Sequence, residues 1–275
     1  MDSVPSLHAR NTMGKGKPYR NQRYIRLSVR RGKSSRRLSR HPIYRRNAMI
    51  FKNITLNIPH SSTIIPVNTW EGDISRSVQE WTDLHTDTLF APSESCAERV
   101  VPVIFPVSRF FCDAERLTDD PMEEIGQGIY YTDFEECHRE KNDTLCQYAT
   151  QLHTWHRNLL GDCIKEDTLL IDCHSFPSKV APDIHINIGF NNDWSRPSDE
   201  LIQMVIEHFE ANAYRVGINT PYSNSITPPS EHPYTSFMIE LNKSIYMNEA
   251  SGMMHPYATR LQNIITQLYQ KLLSF

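Results

Sequence analysis

The sequence lacks three features that would place it in common classes of protein. No apolar run approaches the roughly 18 residues that a membrane span needs, because the longest, residues 100–107, is interrupted by prolines. No stretch near the N-terminus resembles the apolar core of a secretory signal, which is about 7–15 residues long. The six cysteines include no C-x-x-C pair, so neither a thiolate zinc site nor a thioredoxin-like motif is indicated. We therefore expect a cytoplasmic protein with reduced thiols and no membrane contact.

Acidic residues are almost absent from the first 48 residues. This segment holds 14 of the 29 Lys and Arg side chains but only one acid, Asp2, so its net charge is +13 and that of the remainder is −16. It has few large aliphatic residues, which predicts a disordered extension. Three interpretations stay open: a targeting sequence, a nucleic-acid-binding arm, or sequence upstream of a working protein that starts at Met49. We favour the third, so nucleic acid would be a partner only through residues 1–48, if at all.

Residues 49–275 alternate between strand and helix patterns and fit one catalytic domain. Short apolar runs predict strands at residues 54–58, 100–107, 168–173, 184–189, 214–218 and 237–241. Helical patterns cover residues 143–160 and 198–212, and a last helix with Pro256 in its first turn carries an apolar stripe for core packing. This order predicts an α/β fold with a mostly parallel sheet between helices and functional groups at the carboxyl ends of the strands.

Two of the predicted strands are followed closely by a histidine. The strand at 54–58 leads to His60, and the strand beginning at residue 168 leads, after residue 171, to His174. Between them in the chain lies a segment with two acids, Asp83 and Asp87. Two histidines and a carboxylate are a typical ligand set of a hydrolytic zinc site. The long spacing does not by itself separate this hypothesis from ordinary hydrogen-bonded histidines in loops.

One acid lies inside an apolar run. Glu240 interrupts residues 237–241, where a carboxylate is costly to bury unless it is paired or used. Beside a metal it could accept a proton from water, the role of a general base. The alternative is a buried ion pair, with Lys243 or an arginine.

Two arginines stand out because the domain is acidic. Arg109 and Arg116 flank an aromatic run, and guanidinium groups hold carboxylates through two parallel hydrogen bonds. They are therefore candidates for binding an anionic substrate. The alternative is that each pairs with a structural acid such as Asp113 or Glu115.

Taken in order, these segments resemble the motifs of the N-formylglutamate amidohydrolase family. The matching segments are PHSS (59–62), DLHTD (83–87), SRF with the following Asp113 and Arg116 (108–116), GQG (126–128), WH (155–156), DCHS (172–175), NIG (187–189) and ELNKSIYMNE (240–249). Each motif alone is common, whereas eight in the correct order between about residues 56 and 249 are specific.

The resemblance implies a three-layer α/β/α fold related to the zinc carboxypeptidases, with one divalent metal, zinc, at the carboxyl edge of the sheet. Matched motif by motif, it implies these roles: metal ligands His60, Asp83 and His174, with Asp87 as an alternative to Asp83; catalytic carboxylate Glu240; substrate-binding Arg109, Arg116 and His156. It further implies hydrolysis of the amide bond of a small anionic substrate such as N-formylglutamate, giving formate and glutamate.

Some positions depart from the family pattern. Ser62 stands where glycine is usual, Glu115 where asparagine is common, and residues 221–229 lack the Gly-Gly-His loop of the histidine-degrading relatives. These departures favour the broader substrate class, an acidic N-acyl amino acid, over N-formylglutamate specifically. The alternatives are a metallo-carboxypeptidase-like or cell-wall-peptide hydrolase and, in another class, a nucleic-acid-binding protein with a basic arm and a structural metal site. The sequence makes no prediction of oligomeric state.

Overall fold

The structure, a computed structural model, describes residues 51–275. The basic extension predicted over residues 1–48 and its boundary at Met49 lie outside the described residues. The strands are β1 Asn53–Ile58, β2 Val100–Ile104, β3 Asp133–Phe134, β4 Cys137–His138, β5 Thr168–Phe176, β6 Ile186–Gly189, β7 Val216–Ile218, β8 Thr235–Asn242, β9 Met247–Asn248 and β10 Met253–Met254. The helices are α1 Ser75–Trp81, α2 Thr86–Leu89, α3 Asp143–Cys163, α4 Asp199–Glu210 and α5 Ala258–Leu272, with 3-10 turns at Pro121–Ile125 and Lys243–Ile245.

Six strands form one mixed sheet in the order β2-β1-β5-β8-β6-β7. Strands β2, β1, β5 and β8 run parallel to one another, β6 pairs antiparallel with β8, and β7 runs parallel to β6. The predicted mostly parallel sheet is thus confirmed. The short pairs β3–β4 and β9–β10 form separate antiparallel ladders.

The six predicted strands coincide with the six strands of this sheet, with two informative differences at their ends. Strand β2 stops at Ile104, which is the register partner of Ile58, the last residue of β1. Strand β5 continues to Phe176, so Asp172 and His174 lie within it and not in a following loop. The predicted end at residue 173 is therefore too early, because Asp172 and His174 lie on the polar face of the strand and do not end it.

One face of the sheet is apolar and is covered by α4 and α5. The strand residues in this core are Ile54, Leu56 and Ile58 of β1, Leu169, Ile171 and Cys173 of β5, and Phe237, Ile239 and Leu241 of β8. The predicted stripe of α5 packs against them through Leu261, Ile264, Ile265, Leu268 and Leu272. The sequence suggested that Pro256 lies in the first turn of α5. In the structure Pro256 instead precedes this helix, which starts at Ala258.

Successive side chains of a strand point to opposite faces, and the opposite face of this sheet is polar towards the carboxyl ends of the central strands. It carries Asn57 of β1, Asp172 and His174 of β5, Glu240 of β8 and Asn187 of β6, which are register neighbours. Helix α3 covers part of this face, where its Leu160 packs with Val103 and Leu170. The helices on both faces confirm the predicted three layers.

Helices α3 and α4 begin at capping residues whose side chains accept hydrogen bonds from amide groups of the first turn. Asn142 accepts a hydrogen bond from the Leu145 amide at the start of α3, and Ser198 accepts one from the Leu201 amide at the start of α4. Both helices confirm their predicted positions. None of the helices between residues 51 and 275 combines the length and apolar character that crossing a membrane requires.

Candidate metal centre and active site

Three side chains from separate parts of the chain converge at the carboxyl ends of β1 and β5. His60 follows the end of β1, Asp83 lies between α1 and α2, and His174 lies in β5. Their potential ligand atoms all fall within 4.8 Å of one another, and all three residues are buried. The fold therefore brings together the three side chains that the sequence suggested as metal ligands.

Of the two acids between α1 and the end of α2, it is Asp83 that reaches the histidines. Its Oδ2 lies 3.1 Å from His174 Nδ1 and 3.8 Å from His60 Nδ1. Asp87 is exposed in the first turn of α2, where its Oδ1 accepts a hydrogen bond from the Thr88 amide. Since Asp87 points away from the cluster, Asp83 is the carboxylate available to a metal.

His60 presents a free nitrogen to the centre of the cluster. Its Nε2 donates to Asp113 Oδ1 at 2.8 Å, and its buried Nδ1 has no hydrogen-bond partner in the part of the chain that the structure describes. Burial, helped by the positive charge of Arg109, lowers the pKa of His60 and keeps its imidazole neutral. The Nδ1 lone pair is then directed towards Asp83, and a buried polar atom without a partner is expected to serve a ligand or ion.

His174 is held between two carboxylates. Its Nε2 donates to Asp172 Oδ1 at 3.0 Å, while its Nδ1 faces Asp83. Burial disfavours a charged imidazole, but Asp172 and Asp83 raise the pKa of His174 well above its usual range. The centre therefore attracts positive charge, from a proton or from a metal ion. The donor set fits a metal.

Each histidine thus has an acid behind it, Asp113 for His60 and Asp172 for His174. This arrangement orients ligand imidazoles and fixes their tautomers in metalloproteins. Neither acid is predicted to have this role from the sequence, although both lie in the family motifs. The sequence does contain an indication of this role for Asp172, since it lies two residues before His174 and therefore on the same face of β5.

Glu240 lies beside the metal-ligand candidates, and one of its carboxyl oxygens is buried without a hydrogen bond from the described residues. It pairs in register with His174 on the neighbouring strand, so both side chains occupy the same face. It is 7% exposed, its Oε2 accepts no hydrogen bond from residues 51–275, and burial raises its pKa to about 8. The alternative ion pair with Lys243 is not formed, because Lys243 Nζ donates to the backbone carbonyls of Glu80 and Thr82.

A cavity of about 550 Å³ opens onto this cluster and contains both arginines. Its polar lining includes His60, Asp83, Arg109, Glu115, Arg116, Tyr131, His174, Tyr222, Ser223 and Glu240. Arg109 donates to Asp113 Oδ2 at 3.0 Å, and both guanidinium groups donate to the Tyr131 hydroxyl. Arg109 therefore pairs with a structural acid, as the alternative interpretation predicts, and both arginines line the cavity.

Comparison with known sequences decides the family. A sequence profile of the N-formylglutamate amidohydrolase family matches residues 53–247. The chain belongs to this family. The resemblance drawn from the motifs is confirmed, and the family membership supports a hydrolase that acts on a small substrate. No curated protein gives a significant sequence match.

Two solved structures share the fold. The N-formylglutamate amidohydrolase from Ralstonia eutropha JMP134 has a TM-score of 0.65 and 16% identity, over 82% of this chain and 94% of that one. A gene product from Agrobacterium tumefaciens has a TM-score of 0.53 and 15% identity, over 81% of this chain and 91% of that one. At such low sequence identities, the structural similarity shows a shared fold and nothing more.

His156, which the family motif suggested for substrate binding, lies behind the cavity wall. It is fully buried in α3, and its Nε2 donates to Asn57 Oδ1 at 2.7 Å. The amide of Asn57 in turn donates to Asp172 and to Glu115. Because α3 packs directly on the sheet here, His156 supports the acid behind His174 and does not touch the cavity.

The loop that departs from the family pattern does line the cavity. Tyr222 and Ser223 contribute to its wall. Asn187 donates to the Tyr222 carbonyl at 2.8 Å, and the Ile226 amide donates to Asp172 Oδ2 at 2.9 Å. The loop therefore shapes the pocket and also holds an acid of the centre.

Proposed function

We propose that this amidohydrolase is metal-dependent and cleaves the amide bond of an acidic N-acyl amino acid, with N-formylglutamate as the first candidate. The products would be formate and glutamate. One observation carries the proposal: the cluster of His60, Asp83 and His174 adjoins an unpartnered carboxyl, Glu240, in a cavity that also contains two arginines.

His60 Nδ1, the Asp83 carboxylate and His174 Nδ1 would hold the metal. Two imidazoles and one carboxylate are the protein ligands of many catalytic zinc sites, and imidazole nitrogen suits zinc, so we propose zinc. The chemistry that such an ion supplies is Lewis acidity towards the amide carbonyl and a pKa of about 7 for a coordinated water.

The side chains of the cavity supply proton transfer and substrate binding. Glu240 takes a proton from the attacking water and returns it to the departing nitrogen. Arg109 and Arg116 bind a substrate carboxylate through charge-assisted hydrogen bonds. The Tyr131 hydroxyl accepts from both guanidinium groups and donates to Asp113 at 2.6 Å, which holds the two cations in place before substrate arrives.

The substrate class is tested with the zinc-loaded full chain. We expect formate and glutamate in equal amounts from N-formylglutamate, and a kcat/KM at least about 10-fold lower for N-formylglutamine, which lacks the side-chain carboxylate. Alanyl-glutamate tests the carboxypeptidase-like alternative. Cleavage of the dipeptide but not of the formyl compound would favour that alternative, and zinc binding without turnover of either would overturn the substrate class while leaving the metal site.

Arg116→Met is expected to weaken substrate binding more than catalysis. Arg116 donates to Tyr131 and to the Gln127 carbonyl, and it contacts Asp113 only at 3.6 Å. Loss of a hydrogen bond to a charged group weakens binding about 10- to 100-fold. KM for N-formylglutamate should therefore rise by that factor, with a smaller change in kcat. The preference over N-formylglutamine should shrink accordingly.

Arg196→Met is the matched control for this substitution. Arg196 pairs with Asp199 at the start of α4 and is absent from the lining of the cavity, so its loss should leave both kinetic constants near those of wild type. If Arg116→Met kept the full preference for the acidic substrate, Arg116 would not bind the substrate carboxylate.

A further inference from the structure

A buried lysine holds the segment that carries Asp83. Lys243 is 1% exposed and lies directly after β8, three residues past Glu240. Its Nζ donates to the Thr82 carbonyl at 2.8 Å and to the Glu80 carbonyl. These oxygens lie at the C-terminal end of α1, where carbonyls lack partners within the helix and attract positive charge.

The burial of this ammonium group calls for an explanation. Burial lowers the pKa of Lys243, and the carboxylates of Asp83 and Glu249 oppose that shift. An apolar side chain of similar length would occupy the same space without the cost of removing a charge from water. What Lys243 adds is a pair of charge-assisted hydrogen bonds, and one of them ends on the residue directly before Asp83.

The segment is fixed on its other side as well. The Asp83 amide donates to the His60 carbonyl at 2.9 Å, and Thr86 Oγ1 donates to the Asp83 carbonyl at 2.7 Å. Asp83 is thereby tied to the end of β1, and Lys243 ties the residue before it to the end of β8. These two ends carry His60 and Glu240.

We infer that Lys243 is a positioning residue that holds the end of α1 so that the Asp83 carboxylate faces His60 and His174. The inference rests on the proposed function, because it treats Asp83 as a metal ligand. Residues behind metal ligands typically contribute about 10- to 100-fold to metal affinity.

The first test measures the position of the segment without any metal. Hydrogen exchange of the Thr82, Asp83 and Leu84 amides, which donate to Val78, His60 and Thr82 carbonyls, is compared in metal-free full chains. Lys243→Met should speed their exchange about 10- to 100-fold, whereas Lys243→Arg, which keeps charge and donors, should stay near wild type.

Arg99→Met is the control for removing a cation that binds backbone carbonyls. Arg99 donates to the Phe51, Lys52 and Leu273 carbonyls near the amino ends of β1 and β2. Its loss should leave exchange at Thr82, Asp83 and Leu84 unchanged. Unchanged exchange in Lys243→Met would overturn the inference. If Lys243→Met did not fold, Lys243→Gln, which keeps an N–H donor without the charge, would replace it with the same expected direction.

The second test separates positioning from charge repulsion. Lys243 also repels a metal ion through space, and that repulsion persists when Asp83 is replaced. Zinc affinity is therefore measured by chelator competition for wild type, Lys243→Met, Asp83→Asn and the double variant. We expect the loss of affinity caused by Lys243→Met to be at least about 10-fold larger in the wild-type background than in the Asp83→Asn background.

The outcomes of this cycle are distinct. An equal effect of Lys243→Met in both backgrounds, of either sign, would overturn the positioning role and leave the metal centre intact. A wild-type chain that binds no zinc would overturn the metal centre, and with it the role of Lys243 towards a ligand, even if the exchange of the segment changed.

Discussion

Glu240→Gln is expected to lower kcat for amide hydrolysis by about 10²- to 10⁴-fold while leaving bound zinc unchanged, because an amide cannot accept the proton from water. The substitution keeps the size of the side chain. Glu240 Oε2 accepts no hydrogen bond, so the exchange to an amide breaks no contact at that atom. Steady-state formate release and the zinc content of the same preparation measure the two effects together.

Glu115→Gln is the matched control for this loss. Glu115 lines the same cavity, and burial beside Asp172 raises its pKa to about 8, as burial does for Glu240. Its carboxylate is already bound by the Asn57 amide and is not a register neighbour of His174. We expect a change in kcat below about 10-fold. If the two variants lost activity equally, or if Glu240→Gln retained full turnover, Glu240 would not be the general base.

His174→Ala is expected to lose zinc binding and, with it, turnover. The side chain supplies one of the three ligand atoms, so its removal should lower zinc affinity by more than the roughly 100-fold seen for residues behind a ligand. Chelator treatment of wild type should abolish formate release, and added zinc should restore it in wild type but not in the variant. Zinc affinity is measured by competition with a chelator, and turnover is measured by formate release.

Loss of His174 also leaves Asp172 without one of its partners, so folding needs a separate check. Asp172 keeps its hydrogen bonds from Asn57 and the Ile226 amide, and near-UV circular dichroism should therefore stay close to wild type. His208→Ala is the control, since His208 is also buried but donates to the Ile264 carbonyl on the other side of the sheet. A His174→Ala chain that bound zinc as wild type does would exclude His174 as a ligand.

The order of motifs along the chain was enough to predict the family, because it depends on residue types and their sequence and needs no distances. The six sheet strands were also predictable, since their apolar runs stand out between turn residues. The prediction failed at the end of β5, where Asp172 and His174 interrupt the apolar pattern. On a strand with one polar face, such alternation continues the strand.

Roles within the site were less predictable than the list of its members. His156 and Arg116 both lie in recognisable motifs, yet α3 buries His156 against Asn57 while Arg116 reaches the cavity. The sequence suggests Lys243 only as an ion-pair partner of Glu240, whereas in the fold its ammonium group donates to two backbone carbonyls. Such differences depend on how helices pack on the sheet, which no local pattern encodes.

The sequence by itself determined the family, the α/β class, the concentration of basic residues in the first 48 positions and the residues from which a metal site could be built. Only the tertiary structure decided that Asp83 and not Asp87 faces the histidines, and that an acid lies behind each imidazole. The physical reason is that motifs are short-range, whereas ligand geometry arises from strand order. β1, β5 and β8 are distant in the chain but adjacent in the sheet, and their register places His174 beside Glu240.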